Sequence, residues 1–294
     1  MLRALSHLAL YPALYAAASI PFLFHFTGRV PPARTLALAI VVTFLTALGA
    51  YLLDRVKLRA AWLDPADIAA EPRRYRFLTA RLIPVRCLAL LSLVLATVTA
   101  ALLPTPVRAG VPQHWPMLLP LLSAVGVTAY AHRARRTLPR PKDVLLIKNA
   151  YTAAGITGFA SLVVLASQPT LPADLPAMLP LCLAGVTLFA RVFADAVLCD
   201  LDDAETDRLH GTATLATAFG RRRAWNIALA VRLALAGVLL IIPTAPLTVR
   251  ALWAGVTMLS SVGLRLLAPP DFSDWIDARF AVEAAAVSLI LWLF

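Results

Sequence analysis

The sequence predicts an all-α integral membrane protein of nine transmembrane helices, and three observations carry that prediction. Apolar residues make up 60% of the 294-residue chain, and its mean hydropathy is +0.78. A soluble domain holds only about 45–50% apolar residues. The charged residues, 15% of the chain, are bunched between apolar runs. Those runs recur at roughly 20 residues, the length an α-helix needs to cross hydrocarbon. Lipid offers no water to backbone amides, so a crossing segment closes its own hydrogen bonds as a helix. The ~10-residue alternation of barrel strands is missing.

In chain order, the spans are expected near residues 8–26, 35–53, 82–103, 115–131, 144–167, 176–198, 224–242, 247–267 and 280–294, each to within a few residues. Only Arg3 precedes the first span and no small-residue cleavage site follows it, so it reads as a retained helix. Nothing long is left over, and residues 1–294 read as one polytopic membrane domain.

Basic residues orient the spans. With the amino terminus inside, the inside segments hold Arg55, Lys57, Arg59, Arg73, Arg74, Arg76, Arg81 and Arg86. They also hold Arg133, Arg135, Arg136, Arg140, Lys142, Lys148, Arg208 and Arg221 to Arg223. The outside segments hold only Arg29, Arg34, Arg108 and Arg250. This bias places the amino terminus on the cytoplasmic side of an inner (plasma) membrane. It also accounts for the net charge of +11 without a nucleic-acid partner. Cys87, Cys182 and Cys199 have no metal-ligand spacing and read as small buried hydrophobes.

Acidic residues are scarce but cluster after the sixth span. Steps of three and four put Asp200, Asp203 and Asp207 on one stripe of a continuing helix, with Asp202 and Glu205 on other faces. Three like charges on a stripe repel one another, and a divalent cation reverses that interaction. Hard oxygen ligands suit Mg²⁺, which binds through one or two carboxylates plus substrate phosphates. A solvated acidic helix end is the plainer reading of the same spacing.

Gly211, Thr214-Leu215 and Gly220 follow the stripe. The composite pattern D-x-x-D-x-x-x-D-x-x-x-G-x-x-T-L-x(4)-G resembles the second aspartate-rich motif of the UbiA superfamily of intramembrane prenyltransferases. That family has nine helices, with acidic motifs on the cytoplasmic loops after the second and sixth. Its first motif, N-D-x-x-D-x-x-x-D, falls here on residues 50–58. Asp54 matches the central aspartate, but Ala50, Tyr51 and Leu58 stand at the other acidic or amide positions. Asp64 and Asp67 do not restore the spacing and read as helix-start residues.

The resemblance implies transfer of a prenyl group from an isoprenoid diphosphate to a lipophilic or aromatic acceptor, with Mg²⁺ held by Asp54, Asp200, Asp203 and Asp207. It gives Asp203 and Asp207 the catalytic role and the second acidic stretch the larger share of the metal. A terpene cyclase using the same diphosphate site, or a catalytically inactive membrane homologue, is the alternative. Four aspartates carry about −4 and a diphosphate about −3. At ~5 Å and an effective dielectric of ~20 each like-charge pair costs roughly 3 kcal/mol, so cations must stand between them.

The family has a basic residue opening the fifth helix, and Lys148 is the best match, with Lys142 close by. Lys148, Asn149, Arg55 and Arg208 are the candidate diphosphate contacts. Interface anchoring is the plain reading of the lysines, and lipid contact that of the arginines at 133–140. Deeper in the chain, Arg191 and Asp195 stand four residues apart in the sixth span, either lining a cavity or neutralising each other. Arg232 has no partner readable from sequence. A transporter is disfavoured because the acids gather at one face, not near mid-membrane. The D-x-x-D-G-x-x-A-R helix of CDP-alcohol phosphotransferases is excluded by Ala204 after Asp203.

Overall fold

In the computed structural model, residues 6–28, 30–57, 63, 68–69, 71–104, 112–131, 143–168, 170, 174–267 and 272–293 are described. Among them all regular structure is helical: α1 Leu10–Thr27, α2 Ala33–Val56, α3 Pro72–Thr79, α4 Leu82–Ala100, α5 Leu118–Ala131 and α6 Ile147–Ala166. Then follow α7 Leu175–Leu209, α8 Leu215–Phe219, α9 Arg221–Ile241, α10 Leu247–Leu267 and α11 Phe272–Leu293. Leu58, Asp64, Asp67, Lys142 and the arginines at 133–140 lie outside the described residues, as do Arg3, Arg29, Arg59 and Arg108.

Six helices are long and apolar enough to cross a bilayer: α2, α4, α6, α7, α9 and α10. Of the rest, α1 has 18 residues with Pro21 inside, and α5 has 14. In α11 the first twelve residues carry Asp274, Asp277, Arg279 and Glu283. The expected last span at 280–294 therefore starts too late. Its helix begins at Phe272, because the charged turn is paid for by partners on other helices and needs no solvent.

The continuing helix expected for the acidic stripe is present, and the acidic loops that the resemblance implies are helix ends. Asp54 lies in the last turn of α2, and Asp200, Asp203 and Asp207 lie in the last turns of α7, a helix of 35 residues. α7 continues past the apolar run because Leu198, Leu201 and Ala204 stay buried, packing with Leu215, Ala224 and Ile276. It opens on Asp174, whose side chain accepts from the Ala177 amide at 2.9 Å, satisfying one orphan donor of the first turn.

α1 is buried at the centre, with Phe22, Phe24 and Phe26 packed in one cluster with Trp253 and Phe280. α2 packs on α1 and α4. At Gly49 a Cβ would fall 2.8 Å from the Ala89 carbonyl oxygen and 2.7 Å from Leu93 Cγ, so only glycine allows this α2–α4 approach. Outward faces are apolar, as with Leu91, Val94 and Val98 on α4. Cys87 and Cys182 belong to that outer surface, which corrects the expectation of burial. All three thiols are free. On a helix facing lipid, an apolar thiol needs no core to be satisfied.

Candidate functional site

A cavity of about 310 Å³ lies where the ends of α2, α6 and α7 meet α3 and α11. α2 contributes Tyr51, Asp54 and Arg55. α7 contributes Asp195, Cys199, Asp200 and Asp203, at successive steps of four, one and three along one side of the helix. α6 opens with Lys148 and Asn149, and α11 adds Ser273, Asp274 and Asp277.

The Lys148 ammonium stands between two carboxylates, 2.8 Å from Asp200 Oδ1 and 3.2 Å from Asp207 Oδ2. Asn149 Nδ2 donates to Asp200 Oδ2 at 2.9 Å. Asn149 is only 1% exposed, yet its Oδ1 has no hydrogen-bond partner. Asp54 pairs with Lys57. Asp203 faces the cavity with no hydrogen bond or ion pair among the described residues. Asp54, Asp200 and Asp203 thus share one cavity. Asp207 does not line it and joins the group through Lys148.

The expected diphosphate contacts divide. Lys148, Asn149 and Arg55 line the cavity. Arg55 is also tied to the amino-terminal segment, Nη1 donating to the carbonyls of Ser6 at 2.6 Å and His7 at 3.1 Å. Arg208 is exposed and outside the cavity wall, turned about 100° from Asp207 by one helical step. Glu71 and Arg74, paired at 2.6 Å, close the cavity from the α3 side. Burial holds the Glu71 carboxyl above the usual carboxylate range, against the pull of the Arg74 guanidinium.

Behind the cavity lies a buried charge network that the sequence showed only in pieces. Arg232 finds Asp195, and Arg279 Nη2 reaches the same Oδ1 at 2.9 Å. Tyr15 donates to Asp195 Oδ2 at 2.8 Å. Arg191 pairs mainly with Glu283, and its Nε is 3.8 Å from Asp195. Asp195 lines the cavity while Arg191 does not, and Asp195 also neutralises arginines, Arg232 and Arg279 more closely than Arg191. The available signal was charge balance, since intramembrane arginines need acidic partners in the bundle. Asp274 and Asp277 were missed because the last helix was started after them. Asp202 is not idle either, accepting from the Ser273 amide at 3.1 Å.

A second, apolar cavity of about 390 Å³ runs between α2, α5 and α6. Tyr51, Asp54, Tyr130, Thr152 and Ile156 line both cavities, so the two share a wall. Tyr130 stacks on Tyr151 there at 4.9 Å.

Among the described residues, no three His, Cys, Asp or Glu side chains gather closely enough to hold a metal by themselves. The donors suit a shared cation instead. Asp54, Asp200 and Asp203 offer hard oxygens around one space, and the orphaned Asn149 Oδ1 is a further buried acceptor.

No protein-family model matches the chain, and no curated protein matches its sequence. Solved structures do match its shape. An apo UbiA homologue from Aeropyrum pernix K1 aligns with a TM-score of 0.68 at 15% identity, covering 96% of this chain and 98% of that one. The chain has the UbiA fold. Two structures of a UbiA homologue from Archaeoglobus fulgidus share that fold. One, bound to DMAPP and Mg²⁺, aligns at a TM-score of 0.59 and 13% identity over 97% of this chain and 99% of that one. The other, bound to GPP and Mg²⁺, aligns at 0.57 and 14% identity over 96% and 98%.

Proposed function

We propose that the protein is an intramembrane prenyltransferase, moving a prenyl group from an isoprenoid diphosphate to a lipophilic or aromatic acceptor. The observation that carries this reading is the shared wall between a cavity lined by carboxylates and lysine and an apolar groove. An amphiphile with a highly charged head and a hydrocarbon tail fits such a pair of spaces. The A. fulgidus homologue of the same fold binds two molecules of that class, with Mg²⁺.

Asp54, Asp200 and Asp203 would hold the cation together with the diphosphate oxygens, with Asp207 fixed beside them through Lys148. Bound there, Mg²⁺ supplies charge neutralisation for the diphosphate and for the leaving oxygen. Lys148, Arg55 and Arg74 add fixed positive charge around the head group. Asn149 orients Asp200, and the ring faces of Tyr51 and Tyr130 stand where head and tail meet. α1, α5 and α11 complete nine crossings, with the amino terminus and the acidic helix ends on the cytoplasmic side of an inner membrane.

The test is pyrophosphate release by purified protein with Mg²⁺ and DMAPP, GPP or longer diphosphates, with and without membrane extract. Release that requires the extract supports transfer to an acceptor. Release with a hydrocarbon product and no acceptor replaces transfer by cyclisation. No release under any condition removes the enzyme reading.

A further inference from the structure

We propose that the apolar groove measures the prenyl chain and is built for about three isoprene units. This rests on the prenyltransferase reading and names the substrate class within it. Three helices bound the groove over equal lengths: Thr43 to Asp54 on α2, Leu119 to Tyr130 on α5, and Tyr151 to Leu162 on α6. Each interval is eleven residues' rise, or about 16 Å at 1.5 Å per residue. One isoprene unit adds four chain bonds of about 1.5 Å, which a tetrahedral zigzag shortens to about 5 Å in all. Three units fill the groove, and a fourth meets its end.

The lining changes character along that length. Past the tyrosines of the shared wall, small residues line it, Ala47, Ala50, Gly126 and Gly155. At the far end stand Leu119, Leu122, Phe159 and Leu162. Ala50 and Gly155 leave the entrance wide, whereas Phe159, packed against the core cluster, is held in place as the floor. The occupant is a prenyl chain and not a bilayer acyl chain because the groove's upper end, lined by Asp54, adjoins the charged cavity. An acyl chain brings no group that would use that end.

Gly155 gives a clean test. A Cβ built there meets nothing within 4 Å, so a larger side chain enters the groove without displacing backbone. It sits three residues below Thr152, about 4–5 Å down, roughly one isoprene unit from the head-group end. Binding of non-hydrolysable thiolodiphosphate analogues of one to four isoprene units is measured by calorimetry with Mg²⁺, on protein in lipid nanodiscs. In the wild type, the three-unit analogue should bind at least tenfold tighter than the one-unit analogue, with no gain at four. Gly155→Leu should bring the three-unit analogue down to the one-unit level and leave the one-unit analogue within about twofold. Phe159→Ala should improve the four-unit analogue at least threefold. If Gly155→Leu binds every length as the wild type does, the groove holds membrane lipid and the inference fails while the diphosphate reading stands. If no analogue binds the wild type, that reading fails and takes the inference with it.

Discussion

Asp203 is a cavity carboxylate with no partner among the described residues, and Glu205, two residues on, is exposed. The two contribute equally to net charge but differ in what they face. Asp203→Ala should lower Mg²⁺-dependent pyrophosphate release at least 100-fold while the protein still inserts and folds. Glu205→Ala should cost no more than a surface change, within about ±0.5 kcal/mol. Release normalised to folded protein decides this, and equal damage from both would mean that charge alone matters. Asp202 is a poor control, because it holds the Ser273 amide at the start of α11. The acidic stripe was legible because a 3.6-residue period maps sequence steps directly onto a helix face. The orphaned Asn149 oxygen was not, since satisfaction of a buried acceptor depends on neighbours from other helices.

At the scale of elements, α7, α9 and α11 are joined by charges and not by apolar packing alone. Asp195 on α7 meets Arg232 on α9 and Arg279 on α11, all buried. Removing Asp195 strands the Arg232 guanidinium away from water and leaves Arg279 with Glu283 alone, and such a loss typically costs about 3–5 kcal/mol. Asp195→Ala should therefore lower stability by that order in detergent unfolding. Arg191→Met with Glu283→Leu, which removes both partners of a pair, should cost less than either change alone. A double variant as costly as the sum of its singles would show that the pair is not coupled. These links join residues 37 to 92 positions apart, which no local period reports. Six of the nine expected spans coincide with described helices long and apolar enough to cross, because apolar runs are local facts. The start of α11 did not, because its charges lower its apolarity while its partners lie on other helices.

For the whole molecule, the bias of basic residues predicts that the end of the bundle where the cavity lies among helix ends faces the cytoplasm. A single cysteine tests this. With Cys87, Cys182 and Cys199 replaced, Glu205→Cys should react with a membrane-impermeant maleimide in inverted inner-membrane vesicles and stay unlabelled in intact cells. Labelling in intact cells would reverse the topology.

The length of α7 has a consequence of its own. Thirty-five residues make a rod of about 52 Å, against about 30 Å of hydrocarbon. The surplus carries Asp200, Asp203 and Asp207, and no hinge separates it from the crossing part. The height of these carboxylates above the lipid is therefore set by bilayer thickness, as a dipstick reads depth. Thin bilayers would lift them into bulk water and thick ones would draw them toward the head groups, so the same sequence would meet its charged substrate at a different level in each membrane.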